Sequence, residues 1–419
     1  MDGRGGIRMK TIEKYSIGAG DRFGRQGAAQ IAAFKKAKDK GLSVAIVWNK
    51  SNREHNLIGT QPVDQRAAAD AAIKKTGWKG SYYVDADHVG LATVDRFAPY
   101  CDFFTLDVAD FIGKSADPAA VEAFLKKYDG LPSSAGLPAK LDSPSMRAAA
   151  ERYLCAVGEA AKTYRRVVEL RGKDDFVTEV SMDETETPQS QAELVVILAA
   201  LSDEHVPVQT IAPKFSGRFN KGVDYVGDVG AFMKEFEADV RVTKWASKAL
   251  DLPPNLKLSV HSGSDKFSLY KGIGDIVRKE DAGLHLKTAG TTWLEEIVGL
   301  ADAGGDGLKM AKEVYRAAYE NIDECVAPYV AVVDIDRKKL PAPAEVDKWA
   351  GPALLGALRH VQSDPRFNAS MRQLVHVAFP VAAKMGDRYL AALDRNEEAV
   401  SRNVTANLWE RHLLPLFVE

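Results

Sequence analysis

Short β-branched or aromatic runs alternate with longer helical patterns along most of the chain. Because strands joined through a helix pair in parallel by a right-handed crossover, this alternation predicts an α/β fold with a parallel sheet. The strand-like runs are residues 12–17, 43–48, 82–87, 103–107, 176–181, 208–212, 256–261, 284–288 and 329–333. The clearest helical patterns between them are residues 26–40, 62–75, 119–128, 145–171 and 191–202.

Nine strand candidates are one too many for a closed (β/α)8 TIM barrel, the architecture that this alternation favours. We discard the run 329–333, whose neighbourhood is rich in proline. The sequence therefore predicts a barrel over residues 1–340 with an insertion near residues 108–145, in which residues 130–145 form a long loop or lid. An all-helical extension over residues 341–419 is expected to pack on the outside of the barrel.

Polar and charged residues follow almost every strand candidate. These stretches include GAGDR (18–22), NKSNREHN (49–56), DADH (85–88), EVSMDE (179–184), PKFSGRFNKG (213–222), HSGSDK (261–266) and HLKT (285–288). In a (β/α)8 barrel the carboxyl ends of the strands meet on one face, where enzymes of this fold have their active sites. We therefore expect one pocket that collects these residues.

Three of the eight histidines, His88, His261 and His285, lie at or just beyond predicted strand ends. The others lie in a loop or in helical patterns: His55, His205, His360, His376 and His412. Imidazole and carboxylate groups on rigid elements are the ligands that a divalent metal requires. The pattern indicates a site for Zn, Mn, Ni or Co, with hydrogen-bonded structural histidines as the alternative.

Asp87 and Glu179 stand out among the carboxylates near the predicted pocket. Asp87 precedes His88, and Glu179 lies in the apolar strand FVTEVSM, where a buried carboxylate is costly without a partner or a catalytic role. Cations in similar positions would make the pocket positive and suit a small anionic substrate: Arg22, Arg53, Lys214, Lys266 and Lys287. Helix capping for the acids and solvated positions for the cations remain the alternatives.

Composition and motifs exclude several classes of function. A net charge of −2 gives no electrostatic footprint for nucleic acid or a membrane surface. The spacing GxGxxxG at residues 18–24 fails as a dinucleotide fingerprint, and no P-loop occurs. Three widely spaced cysteines, with no signal peptide and no 18-residue apolar run, fit a cytoplasmic protein that acts on a small molecule. The sequence leaves a homo-oligomer open.

Six long blocks resemble the tagaturonate epimerase family of hexuronate catabolism: SIGAGDRFG (16–24), SNREHNLIGTQP (51–62), VDADHV (84–89), TEVSMDETETPQ (178–189), FSGRFNKGVDYVGD (215–228) and SVHSGSDKFSLY (259–270). The similarity runs from about residue 14 to residue 300 and more loosely into the helical tail. The resemblance implies a (β/α)8 barrel, a divalent metal cofactor and the interconversion of D-tagaturonate with D-fructuronate. Related members act on the neutral ketohexoses tagatose and fructose, which leaves the choice of substrate open.

The resemblance also implies roles for individual residues. Carried over by position, the acid/base pair would be Asp87 and Glu179. The metal ligands would be His88, His261 and His285. Contacts to sugar hydroxyls or to the carboxylate would come from Ser264, Asp265 and Lys266, with the cations named above.

The chemistry that the resemblance implies limits the mechanism. The inverted carbon, which is C4 when the ketone is numbered C2, is β to the carbonyl. Its C–H is therefore not acidified, and simple deprotonation is too difficult. Oxidation at C4 would need bound NAD, for which the sequence offers no convincing site. Retro-aldol cleavage between C3 and C4 with re-addition needs a metal and two acid/base groups. A class II aldolase that releases the fragments, and an inactive sugar-binding protein on this scaffold, remain rivals.

Overall fold

The computed structural model describes residues 10–172 and 175–418. Within them eight parallel strands close into a barrel, each paired with the next along the chain and the last with the first. The strands are β1 (Tyr15–Gly20), β2 (Val44–Ser51), β3 (Tyr82–Val89), β4 (Phe103–Asp107), β5 (Val177–Ser181), β6 (Thr210–Ala212), β7 (Lys257–His261) and β8 (Leu284–Lys287). The discarded run 329–333 overlaps a 3₁₀ helix, Ala327–Val332. The predicted (β/α)8 barrel is confirmed.

Several of the helices begin where the sequence offers a side-chain cap. Ser190 and Glu193 form a capping box at the start of α7, and such caps satisfy N–H groups that a first turn leaves unpaired. The helices are α1 (Gly27–Asp39), α2 (Asn52–Ile58), α3 (Pro62–Thr76), α4 (Val94–Phe97), α5 (Pro118–Lys127), α6 (Ser143–Arg171), α7 (Gln191–Asp203), α8 (Val229–Ala249), α9 (Phe267–Lys279), α10 (Thr291–Ala303), α11 (Gly305–Glu320), α12 (Ile322–Val326), α13 (Pro343–Val346), α14 (Gly351–Leu358), α15 (Ala369–Val377), α16 (Phe379–Lys384), α17 (Asp387–Arg395), α18 (Glu397–Leu408) and α19 (Leu414–Phe417).

The first strand differs most from its predicted bounds, since it begins at Tyr15 and not at residue 12. Ile12 instead joins a small buried apolar cluster with Val47 and Tyr83. Its backbone N–H donates to Oε1 of Gln209 at 3.0 Å. The apolar run at residues 12–17 therefore combines a residue anchored before the strand with the start of the strand itself.

The helical tail packs on the barrel through a second apolar core. This core joins Trp293 and Val298 of α10 to Leu374 and Val400 of α15 and α18. The contact between α10 and α18 is close, because a Cβ at Gly299 would lie 2.5 Å from Cα of Val400. Since the second core includes helices on both sides of residue 340, the predicted domain boundary there stays a prediction.

The insertion after β4 lies in the helical layer and away from the strand ends. Leu131 and Leu141 are buried in the main core, and none of residues 130–145 lines the cavity described below. This placement gives no support to a lid at residues 130–145. Among all the described helices, none combines the length and apolar composition that crossing a membrane requires.

Candidate active site

One cavity of about 340 Å³ opens at the carboxyl ends of the strands. Tyr329 and His376, from segments beyond the eighth strand, also contribute to its wall. Each strand supplies a lining residue at its end or in the loop that follows: Arg22, Glu54, Asp87, Asp107, Asp183, Lys221, His261 and Lys287. The strand ends therefore converge on one cavity, as a (β/α)8 barrel requires.

Two histidines and three carboxylates form what we call the histidine–carboxylate cluster. Nδ1 of His88 lies 3.0 Å from Oδ2 of Asp107. Nε2 of His261 lies 2.9 Å from Oε1 of Glu179, and its Nδ1 lies 3.1 Å from Oδ1 of Asp183. The two imidazole rings are 5.3 Å apart between centroids. Each ring is thus oriented by a carboxylate.

A backbone irregularity in β3 turns two consecutive side chains toward the cavity. Neighbouring strand residues normally point to opposite faces, yet Asp87 and His88 both line the cavity. The pairing of β3 with β4 shifts register between Ala86 and Val89. His88 takes the left-handed backbone conformation with φ of 53°, which is uncommon outside glycine. This bulge lets the DADH motif present both groups.

Lys287 provides the counter-charge at the base of the cavity. Its Nζ lies 2.6 Å from Oδ1 of Asp87, 3.0 Å from Oδ2 of Asp85 and 3.1 Å from Oε1 of Glu179. Burial opposes protonation, but these three carboxylates raise the pKa of Lys287 well above its usual range. Lys287, which the sequence predicts to contact the substrate, does line the cavity, but its positive charge is already paired with carboxylates of the protein.

The two predicted acid/base carboxylates differ in access. Asp87 lines the cavity, whereas Glu179 does not and is fully buried. Glu179 also accepts hydrogen bonds from Thr105 at 3.1 Å and Thr210 at 2.8 Å. Burial raises the pKa of both carboxyls, but Lys287 and the neighbouring histidines together outweigh it and leave both pKa values below the usual range. Asp87 alone of this pair meets the cavity directly.

The structure does not bring His285 to the other two predicted ligands and so gives its assignment as a ligand no support. His285 and Lys287 lie on the same face of β8, and Lys287 is nearer the carboxyl end. Nδ1 of His285 lies 2.9 Å from Oγ of Ser16, and burial lowers the pKa of the ring to about 3. A carboxylate oxygen of Asp183 and ring nitrogens of His88 and His261 do lie within 4.8 Å of one another.

The predicted cations differ in their access to the two cavities at this face, and Arg53 lines both. Arg22 and Arg53 line the main one, where Arg22 pairs with Glu54 at 2.7 Å and Arg53 lies over the Tyr329 ring at 5.1 Å. Lys214 lines an adjoining cavity of about 540 Å³. Arg22 and Arg53 are therefore the predicted cations best placed to meet a ligand in the main cavity.

Ser264, Asp265 and Lys266 do not line the main cavity, so the structure gives their assignment as substrate contacts no support. All three are fully buried behind Gly263, the last residue of HSGSDK that lines it. Oδ2 of Asp265 pairs with Nη2 of Arg372 at 2.6 Å. Nζ of Lys266 donates to the backbone oxygens of Ser264 and Asp265 at 3.2 and 3.1 Å. This turn fastens the helical tail to the barrel.

Lys221, Asp183 and His376 line the cavity although the sequence analysis assigned them no role. Asp183 lies two residues beyond β5, so its position after a strand was a usable signal. Lys221 lies in the middle of the long loop between β6 and α8, residues 213–228. His376 sits in α15 of the tail, where only tertiary packing places it near the strand ends.

Histidines, carboxylates and cations surround one cavity at the strand ends of this (β/α)8 barrel. This arrangement is typical of an enzyme that acts on a small molecule. The model of the tagaturonate epimerase family matches residues 7–136 and 135–416. The chain therefore belongs to the tagaturonate epimerase family and is an isomerase.

Individual relatives agree with this assignment. The chain is 28% identical over 423 residues to the tagaturonate/fructuronate epimerase of Thermotoga maritima, covering 96% of this chain and 80% of that protein. The native crystal structure of fructuronate-tagaturonate epimerase from Cohnella laeviribosi superposes with a TM-score of 0.77 at 24% identity, covering 98% and 82% of the two chains. The same protein with two glycerols bound also gives 0.77 at 24% identity, covering 99% and 84%. These structures share the fold of the whole chain.

Proposed function

We propose that this protein interconverts D-tagaturonate and D-fructuronate with the help of a divalent cation. The main support for a metal site comes from His88, Asp183 and His261. Their potential ligand atoms lie within 4.8 Å of one another at the cavity. Two imidazoles and a carboxylate on strand ends suit Zn, Mn, Ni or Co. Family membership supports the reaction. We also propose a cytoplasmic location, with which the free thiols of Cys101, Cys155 and Cys325 agree.

The surroundings of the two histidines support this fit. A histidine that binds a metal through one nitrogen usually offers the other to a carboxylate, which sets the tautomer and the ring orientation. Asp107 bonds to His88 in this way at 3.0 Å, and Glu179 bonds to His261 at 2.9 Å. We therefore assign Asp107 and Glu179 as positioning residues for the metal site.

The proposed reaction is retro-aldol cleavage between C3 and C4, rotation of the aldehyde fragment and re-addition on its other face. A bound dication would supply positive charge where negative charge develops on the enediolate. Asp87 would take the proton of the C4 hydroxyl, a role that suits its ionised carboxylate and its place on the cavity wall.

Re-addition needs a proton donor for the new hydroxyl. The sequence assigns Glu179 as the second member of the acid/base pair. Its only links to the cavity among the described residues are His261 and Lys287, at 2.9 and 3.1 Å. We therefore propose that Glu179 acts through these neighbours as a positioning residue. The proton that Asp87 takes up on cleavage would return to the new hydroxyl on re-addition, directly or by way of Lys287, whose Nζ lies 2.6 Å from Oδ1 of Asp87, so that the two steps balance. E179Q separates the positioning role from direct proton transfer by Glu179.

An NMR time course in D₂O tests the proposal. Chelator-treated protein is mixed with D-tagaturonate, with and without Mn²⁺ or Zn²⁺. We expect metal-dependent appearance of D-fructuronate with no deuterium at C4, because that proton never leaves carbon. Deuterium at C4 would contradict the retro-aldol route, and turnover without metal would contradict the metal site. Accumulation of dihydroxyacetone would favour the aldolase, and turnover of tagatose in place of tagaturonate would favour the neutral-sugar epimerase.

A further inference from the structure

Three cationic or polar side chains at the cavity carry hydrogen-bonding atoms that the protein leaves unused. We call Arg22, Lys221 and His376 the donor group. Nη1 of Arg22 and both ring nitrogens of His376 are buried without a hydrogen-bond partner among the described residues. Nζ of Lys221 forms no hydrogen bond or ion pair within the same residues. Unsatisfied buried groups such as those of Arg22 and His376 are rare in folded proteins because each costs free energy, whereas Lys221 is only half-buried.

The barrel loops and the tail hold the donor group in place. His376 is 97% buried and packs so closely on the loop after β8 that a Cβ at Gly290 would lie 2.0 Å from its Nε2. A Cβ at Gly263 would lie 3.0 Å from Nζ of Lys221. The Arg22 guanidinium lies 4.3 Å from the centre of the Phe379 ring in the tail. The group is therefore fixed before any ligand binds.

The charge of this part of the cavity favours an anion. Burial, followed by the cations Arg22 and Lys221, holds the pKa of His376 well below its usual range, so its imidazole is neutral. A neutral ring offers one N–H donor and one acceptor nitrogen. The carboxylate of Glu54 neutralises Arg22 only on the Nε and Nη2 side. Nη1 of Arg22 and Nζ of Lys221 remain to balance a ligand carboxylate.

We propose that the donor group binds the carboxylate of the sugar acid, and that His376, supplied by the helical tail, is a specificity-determining residue for uronates over neutral ketohexoses. This inference rests on the proposed function, because it takes the substrate to be a hexuronate. A carboxylate would accept hydrogen bonds from all three side chains and satisfy donors that the protein alone leaves unpaired. The helical tail is then part of the substrate site.

Calorimetric binding of D-tagaturonate and of D-tagatose, the uncharged analogue, tests the inference in the metal-loaded protein. We expect H376A to raise the Kd for D-tagaturonate about tenfold to a hundredfold, the cost of one hydrogen bond to a charged group. The Kd for D-tagatose should change less than about twofold, since that sugar lacks the carboxylate. H376A should likewise raise KM for D-tagaturonate more than it lowers kcat.

Two further variants distinguish the loss of a substrate contact from a folding defect. K221M should shift the Kd for D-tagaturonate in the same direction, and H205N serves as a matched control at an exposed histidine with φ of 54°. Equal losses for both sugars, or unchanged binding of D-tagaturonate in H376A and K221M, would overturn the role of the donor group. Failure of the wild-type protein to bind D-tagaturonate would overturn the proposed substrate and this inference with it.

Discussion

The two sides of the cavity differ in how far their polar groups are satisfied within the protein. In the histidine–carboxylate cluster each ring lies 2.9 to 3.1 Å from a carboxylate, and Lys287 nearby contacts three carboxylates at 2.6 to 3.1 Å. In the donor group Arg22 keeps one free nitrogen and His376 keeps two. A site with fixed internal partners is preorganised for chemistry, whereas unpaired donors need a ligand. We therefore propose that the histidine–carboxylate cluster with Lys287 forms the reacting side of the cavity and the donor group its recognition side.

The largest expected effect comes from removing a side chain of the reacting side. H261A should lower kcat/KM by about ten thousandfold, because the loss of metal stabilisation costs several kcal/mol. Epimerisation assays with metal in excess measure this loss. A change of less than about tenfold would show that His261 does not hold the cation.

Replacing the cavity-facing carboxylate should affect the chemical step alone. D87N should lower kcat by about a thousandfold, the usual range for losing an acid/base group, while the bound metal measured by mass spectrometry stays unchanged. Near-normal turnover in D87N would exclude Asp87 as the base. Loss of the metal together with activity would instead make Asp87 a ligand.

Glu179 offers a sharper distinction between positioning and catalysis. E179Q should weaken metal affinity about tenfold to a hundredfold, as expected for a carboxylate that orients a ligand histidine. Activity should return as the metal concentration rises. If activity stays low at saturating metal, Glu179 takes part directly in proton transfer, as the sequence predicted.

Glu296 is a buried carboxylate away from the cavity that has no ion-pair partner among the described residues. It tests whether burial without such a partner raises a carboxyl pKa. Glu296 accepts a hydrogen bond from Tyr389 at 3.1 Å, and burial raises its pKa from 4.5 to about 8. Folding therefore takes up a proton between these values, and stability falls as the pH rises through this window. E296Q keeps the acceptor and removes the titration, so its unfolding free energy should exceed that of the wild type at about pH 8.5, on the order of 2 kcal/mol.

The measurement is chemical denaturation of both proteins at about pH 5 and about pH 8.5. The advantage of E296Q should shrink at the lower pH, where Glu296 is protonated in the folded protein. A difference that is the same at both pH values would contradict the raised pKa.

The fold was predictable because the strand runs and helical patterns of the sequence are local signals. β4 occupies residues 103–107 as predicted, and the order of all eight strands follows chain order. The place of His88 and His261 at the cavity was predictable because strand ends converge in a barrel. The sequence could not show that His285 lies outside the cavity. His285 and Lys287 share one face at the end of β8, and only Lys287, which is nearer the end, lines the cavity. The place of His376 depends on packing between distant helices.

The metal site is tested most directly by titrating Mn²⁺ into chelator-treated wild-type, D183N and H285Q proteins. We predict one tightly bound ion per chain in the wild type and in H285Q, because His285 lies below Lys287 and bonds to Ser16. D183N should bind the ion at least about tenfold more weakly, since it loses a charged ligand. Loss of binding in H285Q with normal binding in D183N would contradict the assigned ligands and restore the set that the sequence resemblance implies.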